Sequence, residues 1–367
     1  MQGLYHSCYS FAGARALWCK VLRLHDHEQA LDALCPRPRT PLLQRAGISR
    51  MTRSWRVGLA LALTTAVLWG VLPIALKITL QGMDAYTITW YRFVFSSLVV
   101  GVMLAAMGQL PPLRSLGRYA WLLMLVALIG LIGNYVLYAL ALQHTTPAVT
   151  QTVIQIAPMF LLLGGLVFFH ERFSNTQWLG FAGLLVGLAL FFNRRLPELL
   201  DMSAGLGLGV ALLIIAALIW AAYGLAQKQL MKQLSSQQIL WILYLASVMV
   251  LLPAAHPATI RALSSGELLM LLFCGINTIV AYGAFAEAMR HWEVSRVSAV
   301  LSIAPLVTLA TMWLTTRVVP GLLEPERLNA LSIAGALLVV GGSAVCALAQ
   351  AGHEETVAKV ECRPAID

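Results

Sequence analysis

The sequence predicts an all-α membrane protein, with ten transmembrane helices arranged as two inverted five-helix repeats. Three observations carry that expectation. The first is composition. Of 367 residues, 59% are hydrophobic and only 11% charged, and the mean hydropathy is +0.77. A soluble domain carries about 25% charged residues, so this chain has too few polar side chains to cover a water-facing surface. The second is internal duplication. Tyr135, Ala141, His144 and Ile156-Ala157-Pro158 recur at an offset of 147 as Tyr282, Ala288, His291 and Ile303-Ala304-Pro305. Glu171-Arg172, Gly180 and Gly187 recur at an offset of 155 as Glu326-Arg327, Gly335 and Gly342. A match built from Tyr, Pro, Glu and spaced Gly says more than Leu matching Leu, and a repeat decides the architecture before any single element does. The third is a series of ten apolar segments, at 57–79, 86–108, 119–142, 147–169, 176–193, 205–228, 237–255, 267–289, 295–316 and 328–350.

Taken in order, residues 1–50 differ from the rest. They hold seven Lys or Arg, three Asp or Glu, and no apolar run long enough for a signal-peptide core. Met51-Thr52-Arg53 leads almost directly into the first apolar segment, so residues 1–50 are expected to be an N-terminal extension, disordered or upstream of a start at Met51. Segments 1–5 form a first repeat over 57–193, and segments 6–10 a second over 205–350; residues 351–367 form a C-terminal tail. Each segment is near the roughly 20 residues that cross about 30 Å of hydrocarbon. Without water in the bilayer core each span must satisfy its own backbone, which leaves helices. Segment 1 aligns with segment 6 at an offset of 151, through Trp69 with Trp220 and Lys77 with Lys228; Trp90 of segment 2 aligns with Trp241 of segment 7. The change of offset from 147 to 155 places an eight-residue insertion in the second copy, expected within 317–325.

Five helices is an odd number, so the second copy starts on the opposite face and runs inverted, as in secondary transporters. Ten spans bring both termini to one side. The loops on the Met51 side carry eleven Lys or Arg against six on the other, which puts both termini in the cytoplasm and the chain across the inner membrane. That loop bias accounts for the net charge of +9, so no nucleic-acid partner is expected. No two of the six cysteines stand at CxxC spacing, which argues against a disulfide framework or a zinc site; Cys274 and Cys346 read as packing residues. No metal and no cofactor is expected.

Several polar and aromatic residues fall inside the spans. Trp69 and Trp220 lie near mid-helix rather than in an interfacial belt, and their matching depth suggests a shared cavity wall. Tyr135 and Tyr138 share a helix face, and Tyr282 is the repeat mate of Tyr135. Asn134, Asn277, Gln151 and Gln155 complete a set of uncharged polar groups of the kind that faces a bundle interior. Pro158 and Pro305 each remove a backbone donor, from the carbonyls of Ile154 and Leu301 respectively; they are hinge candidates. Ser174 and Gln177 fit a capping box, and Glu171 and Glu326 favour the positive end of the helix that follows. The glycines at seven-residue spacing, and Gly183 with Gly187, read as close helix packing. Arg92 stands apart. Its repeat position is Leu243. It could snorkel about 9 Å to the outer surface, or point inward and hold a carboxylate.

The chain resembles the drug/metabolite transporter superfamily, specifically the EamA-type permeases. The resemblance rests on Leu68-Trp69-Gly70 with Lys77, Tyr91-Arg92-Phe93, Tyr138-Ala139-Leu140, Ala157-Pro158, Glu171, Gly180 and Gly187. In the second copy it rests on Trp220-Ala221-Ala222-Tyr223, Ala281-Tyr282, Pro305 and Glu326. It covers residues 57 to 350 and implies two EamA halves that move small metabolites, often exporting amino acids or related compounds. With Tyr223 of the Trp220 motif, the expected solute-binding set is Trp69, Arg92, Asn134, Tyr135, Tyr138, Gln151, Gln155, Trp220, Tyr223, Asn277 and Tyr282.

The expected function is a carrier working by alternating access, with a small-molecule solute and the lipid bilayer as partners and a homodimer as one possible assembly. The spans lack HExxH, GxSxG and paired intramembrane Asp, so no enzyme is expected. A channel fits the inverted halves less well. A nucleotide-sugar or sugar-phosphate carrier should show several inward Lys or Arg. The central halves of the spans contain no Asp, Glu or His, and Glu287 is the nearest acid. The expectation is therefore facilitated or weakly coupled transport, with Arg92 taking the carboxylate of a zwitterionic solute.

Overall fold

In the computed structural model of the chain, the described residues are 41–113, 116–157, 159–160, 163–164, 174–195, 198–199, 205–292, 294–323 and 328–361. Most of the expected extension, Pro158, Glu171, Glu326 and part of the expected insertion lie outside them. The chain divides into Met1–Arg53 and Ser54–Asp367. The first unit contributes only the opening turns of a helix to the described residues, and all the others belong to the second.

Every regular element among the described residues is helical. The α-helices are α1 (Pro41–Thr79), α2 (Ala85–Ala106), α3 (Arg118–His144), α4 (Pro147–Val153), α5 (Asn175–Phe191) and α6 (Leu206–Leu230). The remainder are α7 (Ser236–Leu251), α8 (Ser265–His291), α9 (Val294–Leu301), α10 (Ala304–Val318) and α11 (Ala330–Glu361). α1 begins ten residues inside the stretch expected to be an extension. It opens on Pro41, which suits a first helical position because its missing N–H would have no intrahelical partner.

The sequence predicts ten spans. Among the described residues, seven helical stretches are long and apolar enough to cross a membrane: Trp55–Thr79, Ala85–Ala106, Arg118–His144, Leu206–Leu230, Ser236–Ala254, Ser265–Phe285 and Val297–Val318. Asn175–Phe191 and Ala330–Cys346 are shorter apolar helices; at 1.5 Å per residue, 17 residues rise about 26 Å. Segment 4 departs most. After α4 the chain tightens into a 3-10 turn at Ile154–Ile156, and much of the rest of that segment is not described. Large apolar side chains such as Leu98, Leu179 and Met249 point outward, more than 60% exposed, as lipid contact requires and as water would not tolerate in such number.

The helix ends follow the sequence. Asp84 caps α2, its Oδ1 accepting from the N–H groups of Tyr86 and Thr87 at 3.0 Å each. The Ser174–Gln177 capping box is present at α5; Ser235–Gln238 and Ser264–Glu267 do the same for α7 and α8. Lys77 donates its Nζ to the carbonyls of Leu142 (2.6 Å) and Thr145 (2.9 Å). A cation at the end of α3 meets the negative pole of that helix.

The packing repeats itself under the sequence offsets. Trp90 Nε1 donates to the carbonyl of Val248 at 3.1 Å, and its mate Trp241 donates to the carbonyl of Ser97, the mate of Val248, also at 3.1 Å. Asn134 Nδ2 donates to the carbonyl of Ala216 at 3.0 Å; the mated positions meet through Thr65 Oγ1 and the carbonyl of Ala281 at 3.3 Å. A Cβ on Gly130 would lie 2.9 Å from the carbonyl of Ile219. The mated pair, Asn277 and Leu68, makes a hydrogen bond of 2.6 Å. When i touches the mate of j while j touches the mate of i, the two copies are related by a two-fold rotation.

The tightest instance is the antiparallel crossing of α5 and α11. Gly180 lies against Gly342, and Gly187 against Gly335. A Cβ on Gly187 would sit 2.6 Å from the amide nitrogen of Val339 and 2.8 Å from the carbonyl of Gly335. Gly183 has nothing closer than 3.7 Å, so the crossing uses the seven-residue spacing rather than the four-residue one.

Overpacking a tight contact costs about 1–3 kcal/mol. Gly187→Ala is expected to lower the melting temperature of the detergent-purified protein by several degrees, whereas Gly183→Ala leaves it within a degree. Thermal unfolding followed by size-exclusion fluorescence distinguishes them; equal stability of the two variants would refute the crossing.

Candidate intramembrane solute site

Between the two repeats lies a cavity of about 160 Å³. Nine of the eleven residues expected to bind solute lie on its wall: Trp69, Arg92, Asn134, Tyr135, Tyr138, Gln151, Gln155, Trp220 and Tyr282. The other two are not brought there. Tyr223 is buried against Gly130 at the α3–α6 contact, and Asn277 spends its Nδ2 on the carbonyl of Leu68. Both sit where their helix turns toward a neighbouring helix.

Two pairs of repeat mates meet across this cavity, which puts the two-fold axis through it. Tyr135 and Tyr282 approach with ring centroids 6.2 Å apart. Gln155 Nε2 donates to the carbonyl of Ser302 at 2.9 Å. That carbonyl is open because the helix is broken there. α9 ends at Leu301 and α10 begins at Ala304. The N–H of Leu306, which would ordinarily serve Ser302, turns instead to Ile303 at 2.9 Å. Pro305 stands in the first turn of α10 and has no N–H to offer Leu301. The expected mid-helix bend is thus a break. Its mate, the 3-10 turn at Ile154–Ile156, departs from α-geometry at the matching place.

Aromatic rings form one part of the wall. Trp69 packs edge-on to Tyr282 at 5.3 Å and tilted against Phe285 at 5.5 Å. Polar groups form another. Tyr138 Oη donates to Gln151 Oε1 at 2.9 Å.

Arg92 points inward and is only 4% exposed, so the snorkelling alternative is excluded. Its Nε donates to Thr278 Oγ1 at 3.0 Å, and the guanidinium carbon lies 4.5 Å from the centroid of the Tyr135 ring. Among the described residues no carboxylate pairs with it. Glu287, the nearest acid in sequence terms, faces His291 at 3.3 Å, one turn along at the end of α8.

The wall also holds residues outside the expected solute-binding set, among them Phe285, Ser298, Leu301 and Ser302. The signal for them was present. Adding 147 to Tyr138, Gln151, Ile154 and Gln155 gives these four positions. Thr278 carried no such signal, because its mated position is Leu131.

Helices of membrane length, packed two-fold around a largely apolar cavity that holds amide groups and a buried cation, define a multi-pass membrane protein with an internal solute-sized site. The model of the EamA-like transporter family matches residues 56–193 and again 207–348, and the chain belongs to that family. It is a membrane transporter. The inner membrane transporter YhbE of Escherichia coli (strain K12) is 40% identical over 298 residues, 81% of this chain and 92% of its own. A "probable amino-acid metabolite efflux pump" of Salmonella typhimurium (strain LT2) is 23% identical over 77% of this chain and 92% of its own. A solved crystal structure superposes with a TM-score of 0.56 at 18% identity, covering 80% of this chain and 96% of that one; it shares the fold.

A double-mutant cycle tests the Arg92 geometry. Arg92→Leu and Thr278→Val are expected to show a coupling energy of about 1–2 kcal/mol in thermal stability. Strict additivity would mean that the bond is not made.

Proposed function

We propose that the protein exports a small carboxylated metabolite, an amino acid or a related compound, by alternating access. The observation that carries the reading is the buried Arg92 guanidinium, unpaired by any carboxylate among the described residues, on the wall of a cavity lined by Trp69 and Trp220. A guanidinium presents a planar fork that matches a carboxylate at two points. The indole and phenol rings offer apolar area for the remainder of the solute. The outward direction is supported by the name given to the Salmonella relative. A phosphate-bearing solute fits less well, because Arg92 is the one cationic side chain on the wall among the described residues.

In this reading the spans number ten, as two inverted repeats of five. The first repeat supplies α1, α2, α3, α4 with the residues that continue it, and α5. The second supplies α6, α7, α8, the broken α9–α10 pair, and α11. Both termini are cytoplasmic. The 3-10 turn at Ile154–Ile156 and the break at Ser302–Ile303 are the matched joints about which the halves exchange inward-open and outward-open shapes. Pro305, with no N–H for the Leu301 carbonyl, keeps the second joint from becoming continuous helix.

Trp69→Ala and Trp220→Ala are expected to lower transport at least several-fold with surface expression unchanged. Arg92→Lys should weaken selection for carboxylated over uncharged solutes, and Arg92→Leu should remove it, in efflux assays over an amino-acid panel. Normal selectivity in Arg92→Leu would end the reading. For orientation, a reporter active only in the cytoplasm should work when fused after Ala351 and fail when placed at Gly321. The reverse pattern would invert the topology.

A further inference from the structure

The charge in the cavity does not balance. Arg92 brings one positive charge, and its protein partners are a neutral hydroxyl and the face of a phenol ring. No Asp or Glu is on the wall among the described residues. The same holds along the sequence, since the central halves of all ten apolar segments contain none. Of the two wall glutamines, Gln151 has its Oε1 engaged by the Tyr138 hydroxyl. Gln155 has turned its amide nitrogen to the carbonyl of Ser302.

We propose that the solute is an organic monoanion, a carboxylate with no other charged group and a body about one aromatic ring in size, and that the membrane potential alone drives its exit. The inference rests on Arg92 holding a carboxylate and adds the charge of the remainder. A zwitterion brings no net charge, so the occupied site would keep its uncompensated positive charge in a low-dielectric interior. A monoanion leaves the occupied site neutral. The rings of Trp69, Tyr282 and Phe285 can attract an ammonium through their faces, but they do not alter this net charge. The rings of Trp69, Tyr282 and Phe285 on the wall offer stacking area for one aromatic ring in the solute body.

The same choice supplies a driving force. The spans offer no mid-membrane acid or histidine to carry a coupling proton. An inside-negative potential expels an anion unaided. Each 100 mV is worth about 2.3 kcal/mol per charge, or about 50-fold in the distribution of the solute. A zwitterion does not respond to it.

Three probes with one ring separate the possibilities: N-acetyl-L-phenylalanine (anion), L-phenylalanine (zwitterion) and L-phenylalaninamide (cation). The full chain is reconstituted in proteoliposomes, and a potassium gradient with valinomycin sets the interior negative. N-acetylphenylalanine is expected to bind at least 10-fold more tightly than phenylalanine and to leave the vesicles toward about a 50-fold gradient per 100 mV, while phenylalanine ignores the potential. Gln151→Glu keeps an acceptor for Tyr138 and adds a negative charge, so it should shift preference from the anion toward phenylalanine. Equal or better binding of phenylalanine, potential-independent efflux of the anion, or binding of none of the three overturns the inference. Arg92→Leu, checked for monodisperse behaviour, distinguishes the two levels. If it loses both carboxylates while the wild type prefers phenylalanine, carboxylate capture survives and the anion inference fails. If it binds N-acetylphenylalanine as well as the wild type does, carboxylate capture itself fails.

Discussion

Helices in a bilayer gain nothing from hiding apolar surface from one another, because lipid is as apolar as leucine. Association depends instead on close backbone approach and on hydrogen bonds between helices. This constraint shapes the whole protein. The α5–α11 crossing answers it with backbone contact at Gly180, Gly187, Gly335 and Gly342. Elsewhere side-chain donors reach carbonyls of a neighbouring helix, as Trp90, Trp241, Asn134 and Asn277 do. Because the chain is duplicated, a contact that works once works twice, at mated positions. The two-fold relation follows from each copy having the same surface to satisfy.

Function enters where the copies differ. On the cavity wall the counterpart of Tyr138 is Phe285, that of Gln151 is Ser298, and that of Gln155 is Ser302. In each case the first repeat has kept the larger hydrogen-bonding group. Arg92 against Leu243 is the extreme case. The framework stays close to symmetric, as the paired tryptophan bonds show, while the cavity has one charged, amide-rich part and one more apolar part. A solute with a charged head and an apolar body therefore has one preferred orientation in it. In the proposed carrier the symmetric elements would suit an exchange between two states of similar energy, and the asymmetric ones would select the solute.

The repeat made much of this legible in the sequence. Its offsets located the mated tryptophans, the seven-residue glycine spacing and the Tyr135–Tyr282 pair, while polar character within the spans pointed to the other expected wall residues. Depth and facing were harder. Tyr223 and Asn277 are polar residues within their spans, yet each is spent at a helix contact. Helical spacing says which residues share a face but not which neighbour that face meets. For Arg92 the sequence leaves two directions open. The choice depends on Thr278, a residue with no mate of its own type and no distinguishing pattern. The break at Ser302 was half visible. Pro305 announced a lost hydrogen bond, but only the packing shows that Leu306 turns to Ile303 and leaves the Ser302 carbonyl for Gln155.

Arg92 does more for the site than for the fold. A charged side chain at mid-bilayer costs at least about 2.5–3.5 kcal/mol on insertion scales. Against this stand a desolvated cation–π contact, about 2 kcal/mol, and a hydrogen bond from a charged donor, about 1.5–3 kcal/mol. The gains offset the cost with at most about 2.5 kcal/mol to spare. An arginine that only just balances in the empty state adds little to stability. Thr278 uses its Nε and Tyr135 one face of the guanidinium. That leaves the other nitrogens as hydrogen-bond donors beside the cavity, where lysine would offer only a point charge. In the proposed reading the same balance accounts for the lack of a carboxylate on the wall among the described residues. An intramolecular salt bridge would stabilise the empty cavity and compete with any solute that carried a carboxylate of its own.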